Sequence, residues 1–244
     1  MDLKPIDLTL FNDNSELRLK KNEKFTFFCP QRMGIPKGTD ILWKALQFCK
    51  SDFQILQVDW RDTGTDEENS TSLRLRENLP SQVKLIPMIK RKDIPGYYHS
   101  CDAVIGNLRI GSFEYVELEA VMCKKPVISF TDKKIKISMD GKEIESPFIP
   151  DTNDPKDIAQ VIDKLVVSDQ FRQNIFKKEY DFVQNISDPK KAGEWWDSLF
   201  EKMIKENPSI NRKSSGITVK LRMLSFLISN RLYFRKIKNY SRNA

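Results

Sequence analysis

Short, unbroken apolar runs alternate with stretches of helical periodicity along most of the chain. Residues 24–29 (KFTFFC), 53–58 (FQILQV), 83–88 (VKLIPM), 103–106 (AVIG) and 126–130 (PVISF) read as buried strands. Between them the spacing predicts helices. One runs from Thr39-Asp40, read as its cap, to about Lys50, with Ile41, Leu42, Ala45 and Leu46 on one face. Others are expected over 71–78, 93–100 and 113–123. Asp140-Gly141 between β-prone segments signals a hairpin. Asp154-Pro155 with Asp157 marks a strong helix start, and helices follow over 155–167, 169–185 and 190–206. Strand–loop–helix units with continuous apolar strands predict an α/β, Rossmann-like parallel sheet covered by helices on both faces. Ligands of such sheets sit at the carboxyl ends of the strands. This directs attention to the loops at 30–38 and 106–112.

Composition changes this picture mainly by exclusion. The 244 residues are 39% hydrophobic and 31% charged, an ordinary globular mixture. No apolar run approaches the ~20 residues of a membrane span, and the N-terminus lacks a secretory apolar core. No G-x-G-x-x-G follows the first strand and no G-x-x-x-x-G-K-[ST] occurs, which removes most of the case for dinucleotide or P-loop chemistry. Cys29, Cys49, Cys101 and Cys123 have no C-x-x-C spacing and read as small buried thiols of a reducing, cytoplasmic protein. With one histidine, His99, and no paired-carboxylate signature, no metal site is expected. The net charge of +7 belongs to the end of the chain. Residues 207–244 hold nine Lys/Arg and no Asp/Glu, which leaves the preceding 206 residues at −2. No nucleic-acid partner is inferred, because the body is not basic and the tail has few aromatics.

Four segments in order carry a resemblance: PQRMGIPKGTDIL, IPGYYHSCDAVIG, GSFEYVELEAVMCKKPVISF and SPFIPDTNDPKDIAQVIDKLV. They resemble the C-terminal, donor-binding domain of a GT-B glycosyltransferase of group 1 (family 4), over about residues 22–205. PIDLTLF resembles the hinge that precedes that domain. The resemblance implies binding of a nucleoside diphosphate sugar for retaining glycosyl transfer, with no cofactor, and an acceptor-binding domain or partner chain elsewhere. The alternative is a catalytically silent nucleotide-sugar-binding subunit.

Within that frame, Arg32 and Lys37 are the expected catalytic cations, placed over the diphosphate to offset charge on the departing nucleotide. The amides of Gly111 and Ser112, expected at a helix N-terminus, add donors. Glu119 is the expected ribose ligand, and the base is expected near Ile86 and Met88. The chain departs from the family where the first acid of its E-x7-E pair would stand, since that position is Gly111. Lys124 also replaces a usual glycine. Glu114 and Glu117 are expected to face solvent, Tyr97, Tyr98 and His99 to be structural, and Trp195 and Trp196 to dock the last helix.

Three regions result: a hinge-like segment 1–21, a nucleotide-sugar-binding domain 22–206 and a basic tail 207–244. SINRKSSG (209–216) reads as a flexible linker. In 217–238, Ile217, Leu221, Leu224, Ile228 and Leu232 form one helical stripe beside Lys220, Arg222, Arg235, Lys236 and Lys238. That pattern fits the surface of an anionic membrane, at its cytoplasmic face. The other occupant for the stripe is the acceptor domain or a partner chain.

Overall fold

The structure is a computed structural model; it describes residues 4–13, 19, 22–60, 66–139, 142–206, 222 and 224–226. The chain divides into two compact units, Met1–Glu194 and Trp195–Ala244.

The first unit is built on five parallel strands. They are β1 (Thr26–Cys29), β2 (Gln54–Val58), β3 (Val83–Ile86), β4 (Ala103–Ile105) and β5 (Val127–Ile128), in the order β3-β2-β1-β4-β5. The helices are α1 (Thr39–Leu46), α2 (Asp66–Glu77), α3 (Ile94–Ser100), α4 (Tyr115–Met122), α5 (Pro155–Val167), α6 (Asp169–Ile186) and α7 (Pro189–Glu206). A two-stranded antiparallel ribbon, β6 (Ile137–Met139) and β7 (Lys142–Ile144), has the register expected of the hairpin read from the sequence. Its two central residues lie outside the described ones. The α/β class and parallel topology expected from the sequence are observed. α2 begins earlier than the periodicity suggested, and α1 ends at Leu46 rather than near Lys50.

Alternating residues feed two cores, one on each sheet face, which is why the strands are apolar throughout. Phe27, Ile55 and Ile105 point to one side, against Trp43 and Leu46 of α1 and Ile158 and Ile162 of α5. Phe28, Val58 and Val104 point to the other, against Tyr98 of α3, Leu118 of α4 and Phe182 of α6. Ile6 and Phe11, from the N-terminal segment, are buried in this second core. All four cysteines are free thiols, and burial pushes each of their pKa values up to about 12. Unreactive packing groups are the result.

α5 follows the expected start: Asp154 caps it by accepting from the Lys156 amide at 2.8 Å, and Pro155 opens it. α1 differs. Gly38, in the left-handed region at φ 76°, occupies the cap position without a side-chain bond. Thr39, expected as a cap, instead accepts from the Gly34 amide at 2.9 Å and fastens the loop after β1.

In the second unit, Trp196 is 47% exposed and stacks on Phe200, with ring centroids 5.7 Å apart. Of the tail, 222 and 224–226 are helical, with Leu224 and Phe226 exposed. The linker and the rest of the basic stripe lie outside the described residues. No described helix is long and apolar enough to cross a membrane.

Candidate functional site

The strand order reverses between β1 and β4, and the loops after these two strands flank the crevice that such a reversal opens at the carboxyl edge. Backbone contact holds them together. The Leu108 amide donates to the Lys37 carbonyl at 3.2 Å. A side chain on Gly38 would meet the Leu108 carbonyl carbon at 3.0 Å, so only glycine fits this left-handed turn. Asn107, fully buried, donates to the Pro36 carbonyl and to Glu114, while its own Oδ1 accepts from the amides of Arg109 and Ile110. Arg109 spans back across the crevice to the Ile35 carbonyl at 2.6 Å and to both oxygens of Asp40 at 2.7 Å.

Lys37 is part of this bracing. Its Nζ lies 2.6 Å from each oxygen of Glu114, the residue capping α4. Burial works against the Glu114 carboxylate, but the bonds from Lys37 and Asn107 and the charges of Lys37 and Lys4 hold its pKa below the ordinary value. Glu117 completes the α4 capping box. Its Oε2 accepts from the Glu114 amide at 2.8 Å, and its Oε1 accepts from the Asn107 amide at 2.9 Å and the Ser129 hydroxyl at 2.8 Å. It is wholly buried, and a Cβ at Gly106 would lie 2.2 Å from its Oε1. The expectation that Glu114 and Glu117 face solvent is thus overturned. Glu114 takes the cap place that Ser or Thr usually holds in a capping box, with Glu117 as the usual acid three residues on.

Two residues further on, Glu119 is 2% exposed and turned to the opposite side. An Arg91 guanidinium nitrogen pairs with its Oε1 at 2.6 Å, and the Tyr98 hydroxyl donates to Oε2 over 3.5 Å. Burial raises the Glu119 pKa, with Arg91 and Tyr98 opposing. Arg91 also lies over the Phe11 ring, 4.6 Å from its centroid. The same arginine lines a largely apolar cavity of about 240 Å³ with Pro30, Val58, Trp60, Met88 and Ile94, at the ends of β1, β2 and β3.

The expected site residues fall out as follows. Arg32, half-buried, and Lys37 share the loop after β1. Glu119 borders, through Arg91, the cavity that Met88 lines. Ile86 packs against the core and is not among the residues lining that cavity, although Val58, its register partner on β2, is. Gly111 and Ser112 do not stand at the helix N-terminus as expected, since α4 begins at Tyr115 with Glu114 as cap. They form a left-handed turn ahead of it, with Gly111 at φ 78°. Arg91, Asn107, Arg109 and Glu114 escaped the sequence reading.

The family of this description is "Glycosyl transferases group 1", whose profile matches residues 11–182. No curated protein sequence matches the chain. Among solved structures, HepE of Anabaena in complex with UDP-glucose is similar at a TM-score of 0.61 and 18% identity, over 81% of this chain and 56% of that one. Sucrose-phosphate synthase of Thermosynechococcus elongatus gives 0.62 and 18%, over 83% and 52%. The C-terminal domain of the group 1 protein LpcC of Francisella tularensis gives 0.54 and 20%, over 73% and 96%. The chain thus spans about half the length of the two larger structures and nearly all of the isolated domain.

Proposed function

The chain belongs to the group 1 glycosyl transferases, and on that premise we propose that it binds a nucleoside diphosphate sugar as donor for retaining glycosyl transfer. The observation that carries this reading is the junction of three features at one sheet edge. A lysine sits on the braced crevice, a buried carboxylate is covered by a single arginine, and an apolar cavity adjoins that arginine.

In this reading the base enters the cavity beside Met88, and the ribose hydroxyls donate to Glu119, whose cover is the exposed Arg91. The diphosphate lies along the loop after β1 and takes Lys37 from Glu114, with Arg32 as second cation. As the glycosyl bond breaks, negative charge collects on the departing diphosphate, and these cations stabilise it more than they stabilise the bound donor. The amides of Gly111 and Ser112, which no described group takes up, supply further donors. HepE, similar in fold, is known in complex with UDP and with UDP-glucose, which makes uridine nucleotides the first probes.

Gly111 favours a second reading, a binding subunit without turnover, because it leaves the loop ahead of α4 with no carboxylate at that position. In either reading the acceptor is held by a separate domain or chain, and the basic stripe of 217–238 lies on an anionic membrane surface. Sedimentation with anionic liposomes tests the stripe: binding weakens with salt and is lost when the chain is cut after Asn207.

Calorimetry with UDP, GDP and ADP tests the donor site. Replacing Arg32, Lys37 or Glu119 by alanine is expected to weaken nucleotide binding ten- to a hundredfold, about 1.5–3 kcal/mol for one lost charge-assisted contact. If no nucleoside diphosphate binds the wild-type chain below millimolar concentration, the reading is wrong.

A further inference from the structure

A second cavity, of about 120 Å³, opens beside the turn that precedes α4. Its polar lining is Lys4, Ser112, Thr131, Asp132 and Ser146, over an apolar floor of Phe113, Ile135 and Ile137. Its volume suits several waters or one edge of a hexose ring, not a nucleoside.

Lys4 and Asp132 carry opposite charges into this one cavity, yet among the described residues they form no ion pair with each other or with any other group. Each is held by backbone instead. Lys4 Nζ donates to the Phe113 carbonyl at 2.7 Å and lies 4.5 Å over the Phe113 ring. Asp132 Oδ1 accepts from the Lys134 amide at 2.9 Å, and the Asp132 amide donates to the Gly111 carbonyl at 2.8 Å. An anchored donor and an anchored acceptor in the lining of one small cavity match a ligand that both donates and accepts at neighbouring atoms, as vicinal hydroxyls do. An apolar floor suits the C–H face of a pyranose.

The turn beside Asp132 also favours glycine at 111. A Cβ at 111 would meet the Asp132 Cβ at 3.1 Å and the Phe130 ring at 3.2 Å, and the backbone there is left-handed. With Asp132 in place, no longer side chain fits at 111.

We propose that Asp132, assisted by Lys4, recognises the hydroxyls of the transferred sugar and is a specificity-determining residue of this chain. The inference rests on the nucleotide-sugar reading above. The carboxylate accepts from two vicinal hydroxyls and the ammonium donates to a third oxygen, while the free amides of Gly111 and Ser112 lead from this cavity toward the diphosphate.

Saturation-transfer NMR with UDP, UDP-glucose and UDP-galactose tests it on the wild-type chain, Asp132→Asn and Lys4→Met. Asn keeps the oxygen that accepts from Lys134, so the turn survives. In the wild type, hexose-ring and uridine protons are both saturated, and the two epimeric sugars bind with different affinity. Asp132→Asn is expected to lower the hexose signal at least threefold, leave the uridine signal unchanged and bring the affinity ratio of the epimers toward one. Lys4→Met shifts the same signals by less. Unchanged hexose signals in both variants, or a wild type that saturates uridine but not hexose, overturn the proposal alone. A wild type that saturates neither overturns the nucleotide reading, and this inference with it.

Discussion

Glu117 and Glu119 are two residues apart on one helix, both buried, yet their surroundings have little in common. Glu117 faces the crevice between β4 and β5, where two amides and a hydroxyl saturate its oxygens. Glu119 faces the cavity side, where an exposed arginine lies against one oxygen and a distant tyrosine hydroxyl reaches the other. A buried carboxylate with three of its about four acceptor sites engaged by its own fold has little left to offer a ligand. One held chiefly by a solvent-exposed arginine, as Glu119 is by Arg91, can exchange that partner for a ligand. The partners, not burial, separate the two acids: buried amides and a hydroxyl of the fold for Glu117, an exposed arginine for Glu119.

The largest expected effect breaks the structural side. Glu117→Ala leaves the Asn107 amide, the Ser129 hydroxyl and the Glu114 amide without their acceptor. Each buried unsatisfied donor costs about 1–3 kcal/mol, and with partial relaxation the total should reach on the order of 3–5 kcal/mol. The urea midpoint reads it. A loss under ~1 kcal/mol would mean that the network does not hold the α4 start.

Glu119→Gln should show the opposite signature. Arg91 is 59% exposed at its side chain, so solvent screens the pair and little stability depends on it. The expected change in unfolding free energy is below ~1 kcal/mol, while UDP affinity falls about tenfold or more. If this variant loses stability as Glu117→Ala does, the two carboxylates play one role and the distinction collapses.

The same contrast marks what the sequence could tell. Strands and topology were legible because continuous apolar runs between helical segments leave few alternatives: Phe27 and Phe28 feed opposite cores, as a doubly covered strand requires. Lys37 and Glu119 were legible as charged residues in a recognisable order. What they touch was not. Lys37 meets Glu114 across 77 positions of chain, and Arg109 meets Asp40 across 69, so no local spacing announces either pair. Ile86 and Met88 were read together from the end of β3, but only Met88 lines the cavity there. The cap at α4 was readable in Glu114 and Glu117, but a family pattern that places its acids at other positions drew attention away from it.

A third buried acid gives the comparison its finest test. Glu179, on α6 and wholly buried, accepts only from the Val127 amide, at 3.0 Å, while its other oxygen has no partner. It is thus less satisfied than Glu117, yet no cavity of the candidate site includes it. Burial pushes its pKa well above 4.5; the Val127 amide opposes this and the charge of Glu117 adds to it. The sign of the linkage follows. Between the unfolded value near 4.5 and the raised folded one, the folded chain binds more protons, so stability falls as pH rises through that window. Glu179→Gln keeps an oxygen for the Val127 amide and cannot ionise. Its melting curve should match the wild type below the unfolded value near 4.5 and exceed it increasingly as pH rises from there toward the raised folded value. The difference grows by at most ~1.4 kcal/mol per pH unit, the value of one proton. Parallel stability profiles for the two chains across that range would show that Glu179 ionises as readily folded as unfolded, and that an unpartnered oxygen is not enough to mark an acid held neutral by the fold.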